Sequence, residues 1–280
     1  RRQRQMCIRD RTLERLEQIF QDCVDFTKRP VSLGEGGACT LTLCYLSGMV
    51  KMERVSDYVL RPLAQDEALA RCGTPRQAMD RMKDGALYNL SAEERTRLDA
   101  AVFDLVNGCC LLLFPGESSV LSLNVGTEEK RSISSPSNET VLKGSRDAFV
   151  ESLRTNTSIV RRHLKAPELR IREQVVGRQS VTSVDILYIE GLTNPHLVEQ
   201  VAAQLADIDI DAVLATGNIE EYIVPAARTA FPLVQYTERS DRFCAGLAEG
   251  RVGILIDGLP LGYLCLLYTS DAADDSLRVD

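Results

Sequence analysis

Few residues of this chain are of the types that perform catalysis or bind metals, and their spacing gives them little support. The two histidines are His163 and His196, and neither has cysteine or carboxylate neighbours at the spacing that metal ligands need. No Ser-His-Asp or Cys-His pattern supports a nucleophile. The segment GEGG at 34–37 lacks the Lys-Ser/Thr of a phosphate loop and precedes a strand pattern, which favours a plain loop. The residues therefore predict no catalytic group, no cofactor and no metal.

The cysteines favour a structural role in a reducing compartment. The chain has nine, of which Cys7 and Cys265 fall in the end segments treated below, which leaves seven. None of these forms a C-x-x-C motif, and most stand in apolar sequence, where a free thiol behaves as a small core residue. Cys109 and Cys110 are adjacent in a strand pattern, so their side chains should point to opposite faces of a sheet, one thiol in the core and one covered. We expect a cytoplasmic protein without disulfides.

The densest polar cluster beside apolar sequence is FPLVQYTERSDR at 231–242. Thr237 or Ser240 can cap the helix that follows, and Arg239 and Arg242 can pair with the carboxylates of Glu238 and Asp241. We interpret this cluster as a network of caps and ion pairs, and a ligand site is the alternative. The basic segment RRHLK at 161–165 is likewise either a solvated helix end or a contact with a neighbouring subunit or acidic partner.

The two ends of the chain are predicted to lie outside the fold. With one choice of codons, the DNA for Cys265–Asp274 is the reverse complement, in a shifted frame, of the DNA for Arg1–Asp10. Two ends of a natural protein have no reason to be related in this way, whereas sequencing adapters on both sides of a fragment are. We therefore expect residues 1–10 and 265–280 to be adapter-like and without a defined fold.

Composition excludes some classes of partner. The net charge is −7, aromatic residues make up 5% of the chain, and tryptophan is absent. An acidic chain without a basic face or a stacking platform is a poor nucleic-acid binder. No apolar run of 18 residues, the length of a membrane span, is present.

Hydrophobic periodicity predicts an α/β protein. We expect a helix over 12–27, a loop over 29–38, a buried strand over 39–50 and a helix over 51–64. Further helices are predicted at 76–84 and 91–107, followed by a hairpin around Pro115-Gly116. Residues 126–144 are polar and Ser-rich, as in a linker. A long helix over 145–167 should be capped by Ser145 and ended by Pro167.

The second half of the chain repeats the first. LTLCYLSGM at 41–49 matches VDILYIEGL at 184–192, and NGCCLLLFPG matches EGRVGILIDG. Four positions match at an offset of 142–143 residues: Tyr45 with Tyr188, Gly48 with Gly191, Gly108 with Gly250, and Gly116 with Gly258. We therefore predict two similar α/β subdomains, 11–125 and 145–264, each a small mixed sheet with flanking helices and a terminal β-hairpin. GLPLGYL at 258–264 is predicted to be the second strand of the later hairpin.

Three ordered blocks resemble the N-terminal soluble region of the spore germination receptor A-subunit (GerA) family. GSRDAFVESLRTNTSIVRRHLKAPELRI is similar to the family's Gly-Pro-Arg-(Asp/Glu)-x-Phe helix with its three arginines. VDILYIEGLTNPHLVEQV is similar to its Tyr-x-x-Gly-x-x-Asn-Pro segment, and FPLVQYTERSDRFCAGLAEGRVGILIDGLP to its Thr-Glu-Arg-Pro-Asp block. Ser145 and Ser240 stand where the family usually has proline, and His163 where it usually has a third arginine.

The resemblance implies a subunit of a nutrient-germinant receptor in an endospore-forming bacterium. In that family the soluble region faces the cytosol at the inner spore membrane, precedes a bundle of membrane helices, works with B- and C-type subunits and belongs to a homo-oligomer of A subunits. It acts in assembly and signal transmission, without enzymatic activity. The family-motif positions, to which we assign structural or interface roles, are Arg146, Asp147, Phe149, Asn156, Arg161, Arg162, Tyr188, Gly191, Asn194, Pro195, Thr237, Glu238, Arg239, Asp241, Gly250, Arg251, Asp257 and Gly258. The alternative interpretation is a two-lobed small-molecule binding module with a cleft between its halves.

Overall fold

The computed structural model describes residues 12–33, 40–87, 92–126, 147–211 and 234–265. These residues divide into two compact units. Unit 1 is made of residues 1–130 and 165–168, and unit 2 of residues 131–164 and 169–280. The loop predicted at 34–37, Cys39, Ser145, most of the predicted linker and nearly all of the two end segments lie outside the described residues.

The described residues of unit 1 form five strands and a series of mostly short helices. Its elements in chain order are α1 (Thr12–Ile19), β1 (Phe26–Ser32), β2 (Thr40–Leu46), α2 (Met52–Val55), a π-helical turn (Ser56–Leu60), α3 (Arg61–Gln65), α4 (Glu67–Ala70), α5 (Pro75–Arg81), a second π-helical turn (Met82–Ala86), β3 (Ala92–Arg95), α6 (Leu98–Val106), β4 (Cys109–Leu113) and β5 (Val120–Asn124).

Unit 2 contains five strands and three helices among its described residues. These are α7 (Leu153–His163), β6 (Leu169–Val176), β7 (Thr182–Ile189), α8 (Pro195–Ala206), β8 (Val234–Thr237), α9 (Ser240–Ala248), β9 (Val252–Ile256) and β10 (Gly262–Cys265). None of the helices in the described ranges has the length and apolarity that a membrane crossing needs. β10 includes Cys265, so the last strand extends one residue into the segment predicted to lie outside the fold.

The two sheets have the same strand order, which confirms the predicted pair of similar α/β subdomains. The order is β1-β2-β4-β5-β3 in unit 1 and β6-β7-β9-β10-β8 in unit 2. Numbered within its own unit, each sheet therefore reads first, second, fourth, fifth, third. Every pairing between described strands is antiparallel, where we had expected a mixed sheet. Both predicted terminal hairpins form, β4–β5 and β9–β10.

Glycines at matched positions make the same turns in both units. Gly108 has φ 87° and Gly250 has φ 88°, in the left-handed region that other residues rarely enter. A Cβ atom on Gly108 would lie 2.8 Å from the carbonyl oxygen of Met49, and one on Gly250 would lie 3.2 Å from that of Leu192. The connection that leaves the second strand of each unit therefore approaches the turn before the fourth strand closely, and in unit 1 it leaves no room for a Cβ atom.

Each sheet is covered by helices on both faces. In unit 1, helices α2, α3 and α5 contribute Val55, Leu63 and Met79 to the cluster on one face, and α1 and α6 contribute Leu16 and Leu105 to the other. In unit 2, α8 covers one face, while α7 and α9 cover the other. Strands buried on both faces read as nearly continuous apolar runs, which is why β2, β4, β7 and β9 could be found in the sequence.

Two predicted helices in unit 1 are wrong in part. The helix over 12–27 ends at Ile19, because Phe26 begins β1, which pairs with β2 along its whole length. Asp22 has φ 56°, which no α-helix tolerates, and Phe20 and Phe26 stack with ring centroids 5.0 Å apart. The helix over 91–107 also fails at its start, where Ala92–Arg95 form β3 against β5. Pairing with a distant strand decided the conformation of both segments.

The long helix predicted over 145–167 is shorter. It begins at Leu153, is capped by Ser152, whose Oγ accepts a hydrogen bond from the Thr155 amide, and ends at His163. Pro167 lies beyond its end. Residues before the helix are instead held by a β-bridge between Ala148 and Arg239.

Candidate functional site

The described family-motif residues all lie in unit 2, and most of them surround α7 and α9. We call this set the motif cluster. It comprises the segment Asp147–Ser152, α7, the connection from β7 to α8, the segment Thr237–Asp241 at the start of α9, and the β9–β10 turn at Asp257-Gly258. Arg146 lies outside the described residues.

Asn156 fixes the turn that leads into α7. Its side chain is fully buried, its Nδ2 donates to the Val150 carbonyl oxygen at 2.5 Å, and its Oδ1 accepts from the Val150 amide at 2.8 Å. The carboxamide thus satisfies both backbone groups of one residue in a segment that has no regular ladder. A buried backbone group without a partner costs about 1–3 kcal/mol, so the amide side chain is well suited to this position.

The β9–β10 turn also contacts the start of α7. The Asp257 Oδ1 accepts from the Leu153 amide at 3.1 Å, and the Gly258 amide donates to the Glu151 carbonyl oxygen at 2.8 Å. The Asp257 amide donates to the Ser183 carbonyl oxygen at 3.0 Å. Asp257 therefore satisfies a free amide at the start of α7, where a carboxylate also interacts favourably with the helix dipole.

The apolar part of the cluster is a pair of aromatic rings over two glycines. Phe149 and Phe243 meet edge to face, with centroids 5.3 Å apart and ring planes at 89°. A Cβ atom on Gly253 would lie 2.4 Å from Cζ of Phe243, and one on Gly262 would lie 2.5 Å from its Cδ2. Neighbouring strands β9 and β10 thus leave a notch that the Phe243 ring fills. Sequence reasoning did not single out Phe243 or either of these glycines.

The start of α9 is stabilised by an ion pair. Arg239 binds Asp241 through two bonds, Nε to Oδ1 at 3.0 Å and Nη2 to Oδ2 at 2.6 Å, and these hold the pKa of Asp241 below its usual value. This confirms the predicted pairing of Arg239. The predicted cap is wrong, because Arg239 occupies the capping position without a side-chain bond, and Thr237 Oγ1 accepts from the Arg239 amide at 3.1 Å instead.

Ser240, His163 and Asp147 come together, although they are far apart in sequence. Nε2 of His163 lies 3.2 Å from the Ser240 Oγ and 3.6 Å from the Asp147 Oδ2. A catalytic triad uses the two different ring nitrogens for these two contacts, whereas here one nitrogen faces both groups. Ser240 is fully buried and its hydroxyl donates to the Asp147 carbonyl oxygen at 2.9 Å. The grouping joins the end of α7 to the start of α9 and does not have the geometry of a nucleophile.

Buried charges lie beneath and within α7. Arg161 is 1% exposed and Asp185, in β7, is fully buried, while Arg162 is only half-buried. The Asp185 Oδ2 lies 2.9 Å from the Thr157 Oγ1 and 3.4 Å from the Arg154 Nη1. Arg154 also pairs with Glu173 of β6. Sequence reasoning missed Asp185, which a lone carboxylate in the apolar run VDILYI could have indicated.

The connection from β7 to α8 follows its sequence signature. Gly191 has φ 76°, Asn194 Oδ1 caps α8 by accepting from the His196 amide at 3.0 Å, and Pro195 is the first helical residue. Tyr188 is half-buried against the apolar cluster beneath α8.

The remaining motif residues lie near the two ends of α9. The Glu238 carbonyl oxygen accepts from the Phe149 amide at 2.9 Å. Beyond the helix, Arg251 pairs with Glu249 at 2.7 Å and donates to the Gln235 Oε1 at 3.2 Å.

The described cysteines have the predicted structural character. Cys110 is fully buried and Cys109 half-buried, as expected for adjacent strand residues. Burial raises the pKa of Cys44, Cys244 and Cys265 to about 12 in each case, which keeps these thiols protonated and unreactive at neutral pH. Within the described ranges, His, Cys, Asp and Glu side chains form no group of three that could hold a metal ion.

Comparison with known proteins places these features in a family. A family model described as Bacillus/Clostridium GerA spore germination protein matches residues 14–268. The chain is 34% identical over 248 residues to the uncharacterized membrane protein YfkQ of Bacillus subtilis (strain 168), covering 89% of this chain and 47% of that protein. It is 32% identical over 236 residues to spore germination protein KA of the same organism, covering 84% and 43%. The chain thus spans about half the length of the curated relatives it matches.

A solved structure has the same fold. The crystal structure of the N-terminal domain of the A subunit of the Bacillus megaterium spore germinant receptor GerK3 matches with a TM-score of 0.71 and 26% identity, over 92% of this chain and 94% of that one. The match extends over both units of the duplicated fold. With the family model covering nearly the whole of both units, the chain belongs to the GerA spore germination family.

Proposed function

We propose that this chain is the N-terminal soluble domain of a germinant-receptor A subunit and acts in receptor assembly and signal transmission during spore germination. The observation that carries the proposal is the match to the N-terminal domain of the GerK3 A subunit, which covers 94% of that domain. Membership of the GerA family supports it. The domain would lie on the cytoplasmic face of the inner spore membrane.

The proposed partners are the B- and C-type subunits of the receptor and further copies of the A subunit. The motif cluster supports a role in transmission, because its buried polar contacts join segments from across unit 2 and leave α7 fixed at both ends. A catalytic role is not part of the proposal, since the Ser240, His163 and Asp147 grouping lacks the geometry of a triad. The two-lobed binding module stays a prediction. Calorimetry of residues 11–264 against amino acids and sugars tests it, and the absence of heat from all of them would count against it.

The first test is to extend the DNA sequence downstream of Leu264. We expect several apolar spans of about 20 residues each, as a membrane domain requires. An open reading frame that reaches its stop codon without such spans would overturn the assignment to a receptor A subunit.

The second test uses the complete subunit in spores of its source bacterium. Asn156→Ala should lower nutrient-triggered ion release, because it removes both bonds to Val150 at the start of α7. Arg178→Ala, which breaks an exposed ion pair with Asp209 outside the motif cluster, is the control and should leave the response near the wild-type level. Membrane levels of the subunit are measured in parallel. A normal response in the Asn156→Ala spores at normal subunit levels would contradict a role of the motif cluster in transmission.

A further inference from the structure

The two terminal hairpins make the same turn with different residues. Gly116 has φ 78° and Gly258 has φ 84°, and each follows the residue at the matched position, Pro115 in unit 1 and Asp257 in unit 2. Since proline serves in the first turn, the backbone conformation of the turn does not require a carboxylate. The side chain of Asp257 therefore has another role.

Its contacts show which elements it joins. The Asp257 Oδ1 accepts from the first amide of α7, and the neighbouring Gly258 amide binds the Glu151 carbonyl oxygen. Both turns close locally in the same way, because the Glu117 amide donates to the Phe114 carbonyl oxygen and the Leu259 amide to the Ile256 carbonyl oxygen, each at 3.2 Å. Proline has neither an acceptor side chain nor an amide hydrogen to make the contacts of Asp257. At this matched position, the residue of unit 2 can cap a helix and the residue of unit 1 cannot.

The turn stands between α7 and a central strand. β10, which follows it, lies between β9 and β8 in the sheet, and the far end of α7 is bound to the start of α9 through His163 and Ser240. A displacement of β10 along its axis would move the turn, and the turn holds the first amide of α7. One polar path from strand to helix thus passes through the Asp257 side chain and the Leu153 amide, beside the packing of Leu264 of β10 in the same cluster as Leu153.

We propose that Asp257 is a positioning residue that couples β10 to the first turn of α7. When β10 shifts, the cap shifts with it, and α7 follows or loses its first turn. The coupling itself is a property of unit 2. Its biological meaning rests on the proposed function, because the rest of a receptor subunit would follow β10.

A double-mutant cycle on the whole chain tests the coupling, with amide hydrogen exchange at residues 153–156 as the readout. Asp257→Ala alone should speed exchange there about tenfold, by loss of the cap. Tyr263→Leu perturbs β10 from the face under α8, opposite to α7, so it cannot act on α7 by direct packing. In the wild-type background it should speed exchange at 153–156 about threefold, and in the Asp257→Ala background its effect should be clearly smaller.

Two controls separate coupling from simple loss of stability. Asp257→Asn keeps an acceptor oxygen and should retain the response to Tyr263→Leu. Pro115→Ala, at the matched turn of unit 1, should leave exchange at 153–156 unchanged. An equal effect of Tyr263→Leu with and without Asp257, or no effect in either background, would overturn the proposal. Because the cycle needs no receptor, its result is independent of whether the chain belongs to a germinant receptor.

Discussion

Units 1 and 2 differ in side-chain size at matched core positions, where one helix packs on the two strands of the terminal hairpin. In unit 1, helix α6 places Ala101 in the core cluster that contains Leu111 and Val120 of β4 and β5. The matched residue of α9 in unit 2 is Phe243, and the strand residues matched to Leu111 and Val120 are Gly253 and Gly262. The large side chains are therefore on the strands in unit 1 and on the helix in unit 2. A core requires a filled volume and does not dictate which element supplies it.

The two units also differ in where they bury polar groups. Thr42 of β2, half-buried, matches Asp185 of β7, fully buried beneath α7. Leu13 of α1 matches Asn156 of α7, whose carboxamide is also fully buried. Polar groups inside a core bind only specific partners, so they fix one arrangement of the elements more strictly than apolar contacts do. The unit that contains the described family-motif residues is therefore the one with the more specific interior.

The largest expected effect comes from removing the Phe243 ring, which packs over Gly253 and Gly262 in unit 2. Phe243→Ala should lower the free energy of unfolding of unit 2 by about 3–5 kcal/mol, because the two glycines beneath the ring cannot fill the cavity. Hydrogen exchange during urea denaturation, read separately for peptides of each unit, measures it. Adding Gly253→Leu and Gly262→Val, the residues of unit 1, should restore part of the loss. If unit 1 were destabilised equally, Phe243 would not act on the core of unit 2 alone.

The converse change should overfill unit 1. Ala101→Phe places a ring against Leu111 and Val120, and the forced rearrangement should cost about 1–3 kcal/mol. The same exchange experiment measures it, with Ala100→Phe, at a half-buried neighbouring position, as the control. If Ala101→Phe were neutral, the core of unit 1 would be less tightly packed than its fully buried side chains indicate.

Acid should weaken unit 1 through one carboxylate. Glu94 accepts bonds from Arg76, Lys83 and Ser119, each at 2.7 Å, and these lower its pKa to about 2, from 4.5. A lowered folded-state pKa contributes stability above pH 4.5 that is lost as the pH falls towards 2. Because Arg76 is 45% exposed, solvent screening reduces the effect to about 1 kcal/mol. The free energy of unfolding of unit 1, measured at pH 7 and at pH 3, should show this loss in the wild type and not in Glu94→Gln.

The smallest expected effects are changes in stability from substitutions in the two terminal turns. Asp257→Ala should destabilise unit 2 by about 1 kcal/mol through loss of the cap on α7, while Pro115→Ala should change unit 1 by a few tenths. Denaturant unfolding monitored by exchange in each unit compares them. If both substitutions had the same effect, Asp257 would serve only its own turn.

Local sequence determined a large part of this molecule. The sequence predicted the apolar runs of β2, β4, β7 and β9, the two hairpins and the 142–143-residue repeat. Each of these depends on neighbours in the chain or on the comparison of one half with the other. The resemblance to the GerA family was carried by three blocks of residues, and the family model and the match to the GerK3 A-subunit domain agree with it.

Tertiary structure decided the rest. The helix over 12–27 gave way to β1 because Phe26 to Ser32 found β2, and Ala92–Arg95 became β3 because β5 offered a partner. Two contacts of α7 join residues that are far apart in the chain. His163 and Ser240 are 77 positions apart, and Leu153, at the start of α7, is 104 positions from Asp257, which caps it. Hydrogen-bond partners so distant leave no periodic trace in a sequence, because the energy that selects them exists only once the sheet has formed and brought them together.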